Sequence, residues 1–263
     1  MNLDLKGKSV LVTGGNRGVG LAIALAFADE GANVVVCGRD TVALAEAEAK
    51  LLAKGVKAKA IAVDLFTAEG CIGAVQAAVD AFGGLDVLVN NASTAVSGNI
   101  ETLDDAGLME RLTGKTLAYM RCCRAALPHL RKSARGRVIC IGGSAVRHAG
   151  ATALPSALGN SSIVAFCKQF STTVAAQGIT ANVVHPPFTK TDRYPKRLAA
   201  RAKQLGVSEA QAEASFVKQF PIGRLVEPSD IAPMVLFLAS PLASAITGQS
   251  IAIDGGSTPG IFY

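Results

Sequence analysis

The sequence predicts an α/β protein built on a doubly wound parallel sheet with helices on both faces. Three observations carry this reading. A Gly-rich turn, Gly14 to Gly20, joins the strand-like run Val10-Leu11-Val12 to a segment with apolar residues at helical spacing, Leu21, Ala24, Leu25 and Ala28. Short apolar runs then alternate with longer helical patterns to the end of the chain. No Pro/Ser-rich linker, repeat or low-complexity tract breaks the 263 residues, so 1–263 reads as one domain, long enough to bury a core.

The first turn is the most informative stretch. Strand, turn and helix in that order leave free backbone N–H groups and the positive end of a helix dipole facing one point, which suits a pyrophosphate. Gly14 makes the turn, Gly18 lets phosphates approach the backbone, and Gly20 lets helix and strand pack closely, with Asn16, Arg17 and Val19 in the same loop. The second strand, Asn33 to Cys37, ends at Gly38-Arg39-Asp40. A carboxylate closing this strand would bind the ribose 2′-hydroxyl of NAD and repel the 2′-phosphate of NADP. Gly38 stands there instead, with Arg39 beside it and Arg17 in the turn. Two guanidiniums suit a phosphate, so the expected cofactor is NADP(H).

A charged helix follows over Val42 to Lys54, then a third strand, Ala58 to Val63, ending at Asp64-Leu65. A helix from Ala68 to Phe82 leads to the fourth strand, Leu85 to Val89, and to Asn90-Asn91-Ala92-Ser93. The fifth strand covers Gly136 to Ile141 and the sixth Ile179 to Pro186, and a last one lies in Thr247-Gly248-Gln249-x-Ile251-x-Ile253-Asp254-Gly255-Gly256. Thr13-Gly14-x-x-x-Gly18-x-Gly20, the Asn-Asn-Ala-Ser stretch and the last segment, in this order, resemble the motifs of the short-chain dehydrogenase/reductase family over nearly the whole chain. The resemblance implies a Rossmann-type, seven-stranded parallel sheet flanked by helices, with a small helical substrate lid over about 192–221. It implies homotetramers packed through the helices beside the fifth strand. It also implies that Asp64 and Leu65 contact adenine, that Asn91 and Ala92 line the cofactor cleft, and that Pro186, Thr189 and Thr191 lie in the segment that holds the nicotinamide carboxamide and a phosphate.

The family's proton-transfer machinery carries over less well. Its chemistry needs a Tyr four residues before a Lys on one helix. With Lys168 as that lysine, Val164 takes the tyrosine's place, and the chain between Ser144 and Lys168 is several residues longer than in the family. The family's helix Asn is Lys115, its serine pair is Gly142-Gly143, and its Pro-Gly is Pro186-Pro187 after His185; Ser93 replaces a glycine. The expected roles are Lys168 on the nicotinamide ribose, with Lys115 and Asn160 polarising or positioning the substrate. Asn160 could instead be a helix N-cap and Lys115 a solvated helix residue. Tyr119 and His148 are further candidates for a displaced donor, against helix packing and an exposed loop.

A site without the tyrosine suits a reaction in which hydride goes to carbon and charge spreads to a distant oxygen. The expected reaction is therefore NADP(H)-dependent conjugate (C=C) reduction of a small unsaturated carbonyl compound or 2-oxo acid. The alternatives are 3-oxoacyl or carbonyl reduction with a substitute donor, a non-redox isomerase or lyase, and a cofactor-binding regulator. The formal charge of +6 does not point to nucleic acid, because Lys and Arg are scattered and no aromatic residues interleave to stack on bases. Six cysteines show no C-x-x-C spacing and read as free thiols in a reducing cytoplasm, and no metal site is expected. No signal pattern and no uncharged apolar run near ~18 residues are present, so a membrane span is not expected.

Overall fold

The computed structural model describes residues 2–148 and 150–260. Its strands are β1 (Ser9–Thr13), β2 (Asn33–Gly38), β3 (Ala58–Ala62), β4 (Val87–Asn90), β5 (Arg137–Ile141), β6 (Thr180–His185) and β7 (Ser250–Ala252). They form one sheet in the order β3-β2-β1-β4-β5-β6-β7, every pair parallel. The elements differ from the sequence expectation by one or two residues at their ends, where helices and strands fray.

The central strands are buried on both faces, so the two-residue period deals their side chains into two cores. Val10 and Val12, Val34 and Val36, and Ile139 and Ile141 face one core. There they meet α1 (Gly18–Asp29), α2 (Thr41–Leu52) and α9 (Pro228–Ala239). Leu11, Leu88 and Val138 face the other core, closed by α3 (Ala68–Phe82), α5 (Ala118–Leu130) and α6 (Leu154–Val174). The six cysteines are free and buried, and act as small apolar residues. A short helix, α4 (Asp105–Arg111), runs through a π-helical segment, Leu112–Leu117, into α5. Two further helices, α7 (Tyr194–Leu205) and α8 (Glu209–Val217), fill the segment expected as a lid. They are anchored by Leu198, Ala212 and a cluster in which Phe188 stacks on Phe216 with ring centroids 4.8 Å apart. Among the described residues no helix is long and apolar enough to cross a membrane.

Several helix starts are set by side-chain caps. Asp40 accepts from Ala43 N at the head of α2, and Thr67 accepts from Gly70 N at the head of α3. The helix α1 departs from this: Arg17 at its N-cap makes no side-chain cap, and no acidic residue lies in its first turn. Asn160 sits well inside α6, which begins at Leu154-Pro155, so its reading as an N-cap is corrected.

The strand order reverses between β1 and β4, and a parallel sheet opens a crevice beyond the carboxyl ends of its strands at such a point. Thr13 ties the two strand ends together there. Its hydroxyl accepts from Asn91 N (2.9 Å) and Ala92 N (3.1 Å) and donates to Val89 O (3.4 Å). The Asn91 amide donates to Thr13 O and Gly14 O. Gly20 packs so closely on this tie that a Cβ would overlap Gly14 O and Asn91 Nδ2.

Thr13→Val, which keeps the side chain's shape, strands two backbone donors. It is expected to cost about 1–3 kcal/mol in urea unfolding, whereas Thr173→Val on the exposed face of α6 stays within about 0.5 kcal/mol.

Candidate active site

A cleft of about 920 Å³ lies across the carboxyl ends of the strands. One end is the glycine-rich turn. Gly14, Asn16, Arg17, Gly18, Val19 and Gly20 all line it. Gly14 and Gly18 hold positive φ angles of 63° and 57°, a backbone conformation that suits glycine, and a Cβ on Gly18 would meet Thr191 at 3.5 Å. The uncapped start of α1 meets the same space. Free N–H groups, a positive helix end and an N-cap that makes no side-chain bond fit a pyrophosphate.

Beyond it, Arg39, Asp64 and Leu65 line the cleft next to Gly38. The Arg39 guanidinium lies over the Phe66 ring, 5.7 Å from its centroid. Asp40 turns its carboxylate to the head of α2, and Asp64 accepts from Phe66 N. Arg39 and Arg17 supply the cations at this end of the cleft, which suit a ribose carrying a phosphate. Asn91 and Ala92 form the middle of the cleft, and Pro186, Thr189 and Thr191 its far wall. The residues expected to hold the cofactor are thus brought together, with one exception.

That exception is Lys168. It is exposed on α6, and its side chain lies against Gly248 ahead of β7, on the amino side of the sheet. It does not line the cleft, and neither does Val164. The residues of α6 that do, one helical turn apart, are Ser156 and Asn160. The assignment of Lys168 to the ribose is therefore corrected. The apparent excess of residues between Ser144 and Lys168 was the sign of this error: it vanishes when the pair is taken two to three turns earlier. Sequence reasoning missed Ser156 for the same reason. His148 is exposed and outside the cleft, and Tyr119 is buried with its hydroxyl donating to Ile141 O, as helix packing predicts. No tyrosine lines the cleft among the described residues.

Lys115 lies in the π segment and is 2 % exposed, so its reading as a solvated helix residue is corrected. Its ammonium donates to Ile141 O (2.9 Å) and Gly142 O (3.2 Å), at the end of β5, and lies 5.4 Å from the Tyr119 ring centroid. Burial, and next the charge of Arg111, lower its pKa to about 7, while Cys140 opposes the shift. Asn160 is 2 % exposed; Nδ2 donates to Gly143 O at 3.4 Å, and Oδ1 is buried with no partner.

The Gly142-Gly143 pair has a steric cause. A Cβ on Gly142 would overlap the His185 ring, and one on Gly143 would come within 2.7 Å of Asn160 Nδ2. His185 is itself structural. Its Nδ1 accepts from Gly143 N (3.1 Å), its Nε2 faces Ser250 Oγ (2.8 Å), and burial lowers its pKa to about 4, so it is neutral.

A family model described as enoyl-(acyl carrier protein) reductase matches residues 14–258. The chain is 31% identical to the 3-oxoacyl-(acyl-carrier-protein) reductase FabG of Vibrio cholerae serotype O1, covering 97% of this chain and 98% of that protein. It is 30% identical to the NADPH-dependent reductase BacG of Bacillus subtilis, over 97% of this chain and 99% of that protein. Among solved structures, the L-sorbose reductase from Gluconobacter frateurii, complexed with NADPH and L-sorbose, superposes with a TM-score of 0.95 at 29% identity, over 99% of this chain and 100% of that one. With its motifs, its strand order and these likenesses in agreement, the chain belongs to the short-chain dehydrogenase/reductase family.

Proposed function

We propose that the protein is an NADP(H)-dependent carbonyl reductase in which Lys115 takes over proton donation from the family's tyrosine. The observation that carries the reading is the Lys115 ammonium, buried at the cleft wall with its pKa brought to about 7. An acid of that strength is half protonated at neutral pH, where general-acid catalysis works best. The cofactor, when bound, supplies a hydride to the carbonyl carbon. Two of the three Lys115 N–H bonds are held by Ile141 O and Gly142 O, which leaves the third for the substrate oxygen. That N–H gives its proton to the forming alkoxide, and the amine recovers one from water. Ser156 and Asn160 are the residues of α6 that reach the cleft, in place of the Val164 and Lys168 to which the resemblance assigned the family's tyrosine and lysine. The unpartnered Asn160 Oδ1 suits a hydroxyl donor such as a ribose. Arg17 and Arg39 suit the 2′-phosphate, and the Phe188–Phe216 stack roots a lid that excludes water.

The names of the relatives support this order of readings. FabG reduces a 3-oxoacyl group by its name, and the Gluconobacter frateurii enzyme L-sorbose. Conjugate reduction is the second reading, favoured by the absence of tyrosine from the cleft among the described residues and by the enoyl reductase description of the family model.

NADPH oxidation against paired ketones and α,β-unsaturated carbonyl compounds, with product masses, tests the choice. Alcohols from the ketones support carbonyl reduction; saturated ketones from the unsaturated set alone reverse the order. If Lys115 is the acid, kcat/KM for reduction falls as pH rises through about 7, because the ammonium is lost. Lys115→Gln is expected to lower turnover by about 100-fold or more and to flatten that profile.

Lys115 also makes a prediction about stability. Its folded pKa lies below the unfolded value of 10.5, so between pH about 7 and 10.5 the unfolded chain holds a proton that the folded chain has released. Its contribution to stability therefore rises with pH through that window. In urea unfolding at pH 7 and pH 9, wild type is expected to gain about 2 kcal/mol relative to Lys115→Met.

A further inference from the structure

Arg111 is 6 % exposed and lines the cleft one turn before Lys115. Its Nη1 donates to Ser93 Oγ (2.6 Å) and Thr94 O (2.5 Å), while its Nε is buried with no partner. Neither Arg111 nor Lys115 pairs with a carboxylate among the described residues. The acids of the cleft are engaged or lie elsewhere. Asp40 caps α2, Asp64 holds Phe66 N, and Asp192 lies beside Gly18 in the phosphate loop. The lid adds Arg193 and Arg197 to the lining of the cleft, with Arg197 over the Phe188 ring.

Two buried cations within reach of each other, with no protein anion, are an unbalanced arrangement. Each costs desolvation and each raises the cost of the other. The structure holds Arg111 in place with neutral acceptors, Ser93 and Thr94, which orient the guanidinium and leave its charge intact. Its neighbour on α6 is Gly159, where a Cβ would come 3.1 Å from Nε, so the packing is cut to fit the arginine. Such a charge is balanced when an anion enters, and guanidinium binds carboxylate with paired, charge-assisted hydrogen bonds.

We propose that Arg111 is the carboxylate-binding residue of the substrate site, and that the substrate is a free oxo acid with its carboxylate one or two carbons from the reacting carbonyl. Arg111 and Lys115 line the same cleft about one turn apart, so the carboxylate is assigned to Arg111 and the carbonyl oxygen to Lys115, which calls for a short oxo acid. This rests on the reductase reading. It differs from that reading in requiring a negative charge next to the carbonyl, which a ketone, an ester or a thioester lacks. Arg193 and Arg197 line the same cleft and add to the positive field that draws an acid in.

The test compares oxo acids with their methyl esters (pyruvate, phenylpyruvate and acetoacetate) in NADPH oxidation by the full chain. It adds thermal shift with oxamate, a pyruvate isostere that keeps the carboxylate and takes no hydride, against neutral oxamide. The expected result is a preference for acid over ester of about 100-fold or more in kcat/KM, and stabilisation by oxamate alone. Arg111→Gln should raise KM for the acids by roughly 30-fold or more, abolish the oxamate shift and bring the acid-to-ester ratio of kcat/KM to within about threefold of one. Arg111→Lys should restore part of both.

Acids and esters reduced alike by wild type would overturn the proposal and leave the reductase reading standing, whatever the variants do. The same holds if Arg111→Gln slows both alike. No reduction of any carbonyl, with an oxamate shift that Arg111→Gln removes, would uphold the carboxylate site and defeat the reductase reading. An equal shift with oxamide, or none with oxamate, would overturn the carboxylate site.

Discussion

A parallel sheet that reverses its strand order cannot fill the space beyond the two strands where the reversal occurs, and the Thr13 hydroxyl holds that space in shape. It gathers the N–H groups of Asn91 and Ala92 and joins the end of β1 to the end of β4. Around this tie Gly14 and Gly20 let α1 approach without a side chain between, which aims the uncapped start of α1 into the cleft. The depth of the site follows from this. Backbone donors that would be satisfied by a cap in α2, α3 or α8 are left free in α1, and burial of the sheet on both faces gives them a rigid base.

The departures from the family's pattern are physically connected. Ser93, in place of a glycine, is the hydroxyl that receives Arg111. Gly142 and Gly143 make room for the His185 ring and the Asn160 amide, and the carbonyls of Ile141 and Gly142 hold the Lys115 ammonium. A side chain at either glycine would push His185 or Asn160 out of place. Loss of function by drift would leave unrelated changes and unfilled contacts. Here each replacement is fitted to another, and the cleft keeps groups without a balancing partner: the charges of Arg111 and Lys115 and the acceptor Asn160 Oδ1. Groups left wanting a partner in a place that a ligand enters are groups shaped by that ligand.

The fold and the cofactor end of the cleft were legible in the sequence because both rest on local signals. Strand alternation, helical spacing and a Gly-rich turn between them are properties of short stretches, and the residues from Gly14 to Gly20 need no distant partner to make their meaning plain. The proton-transfer end was read less well. Val164 and Lys168 have the right spacing for a helix pair, but α6 is 21 residues long, and spacing alone does not say which of its turns reaches the cleft. Only the packing of α6 against the sheet selects Ser156 and Asn160 and sends Lys168 to the opposite side.

By itself, then, the amino-acid order determined the strand and helix pattern, the phosphate loop and the arginines at Gly38, since these depend on neighbours in the chain. The tertiary structure decided the chemistry. Whether Lys115 is a solvated cation or an acid with a pKa of about 7 depends on burial and on Arg111, and whether Arg111 is paired depends on where every carboxylate in the fold ends up. Charge strength and proton affinity are set by three-dimensional surroundings, and a linear sequence does not contain the dielectric around a side chain.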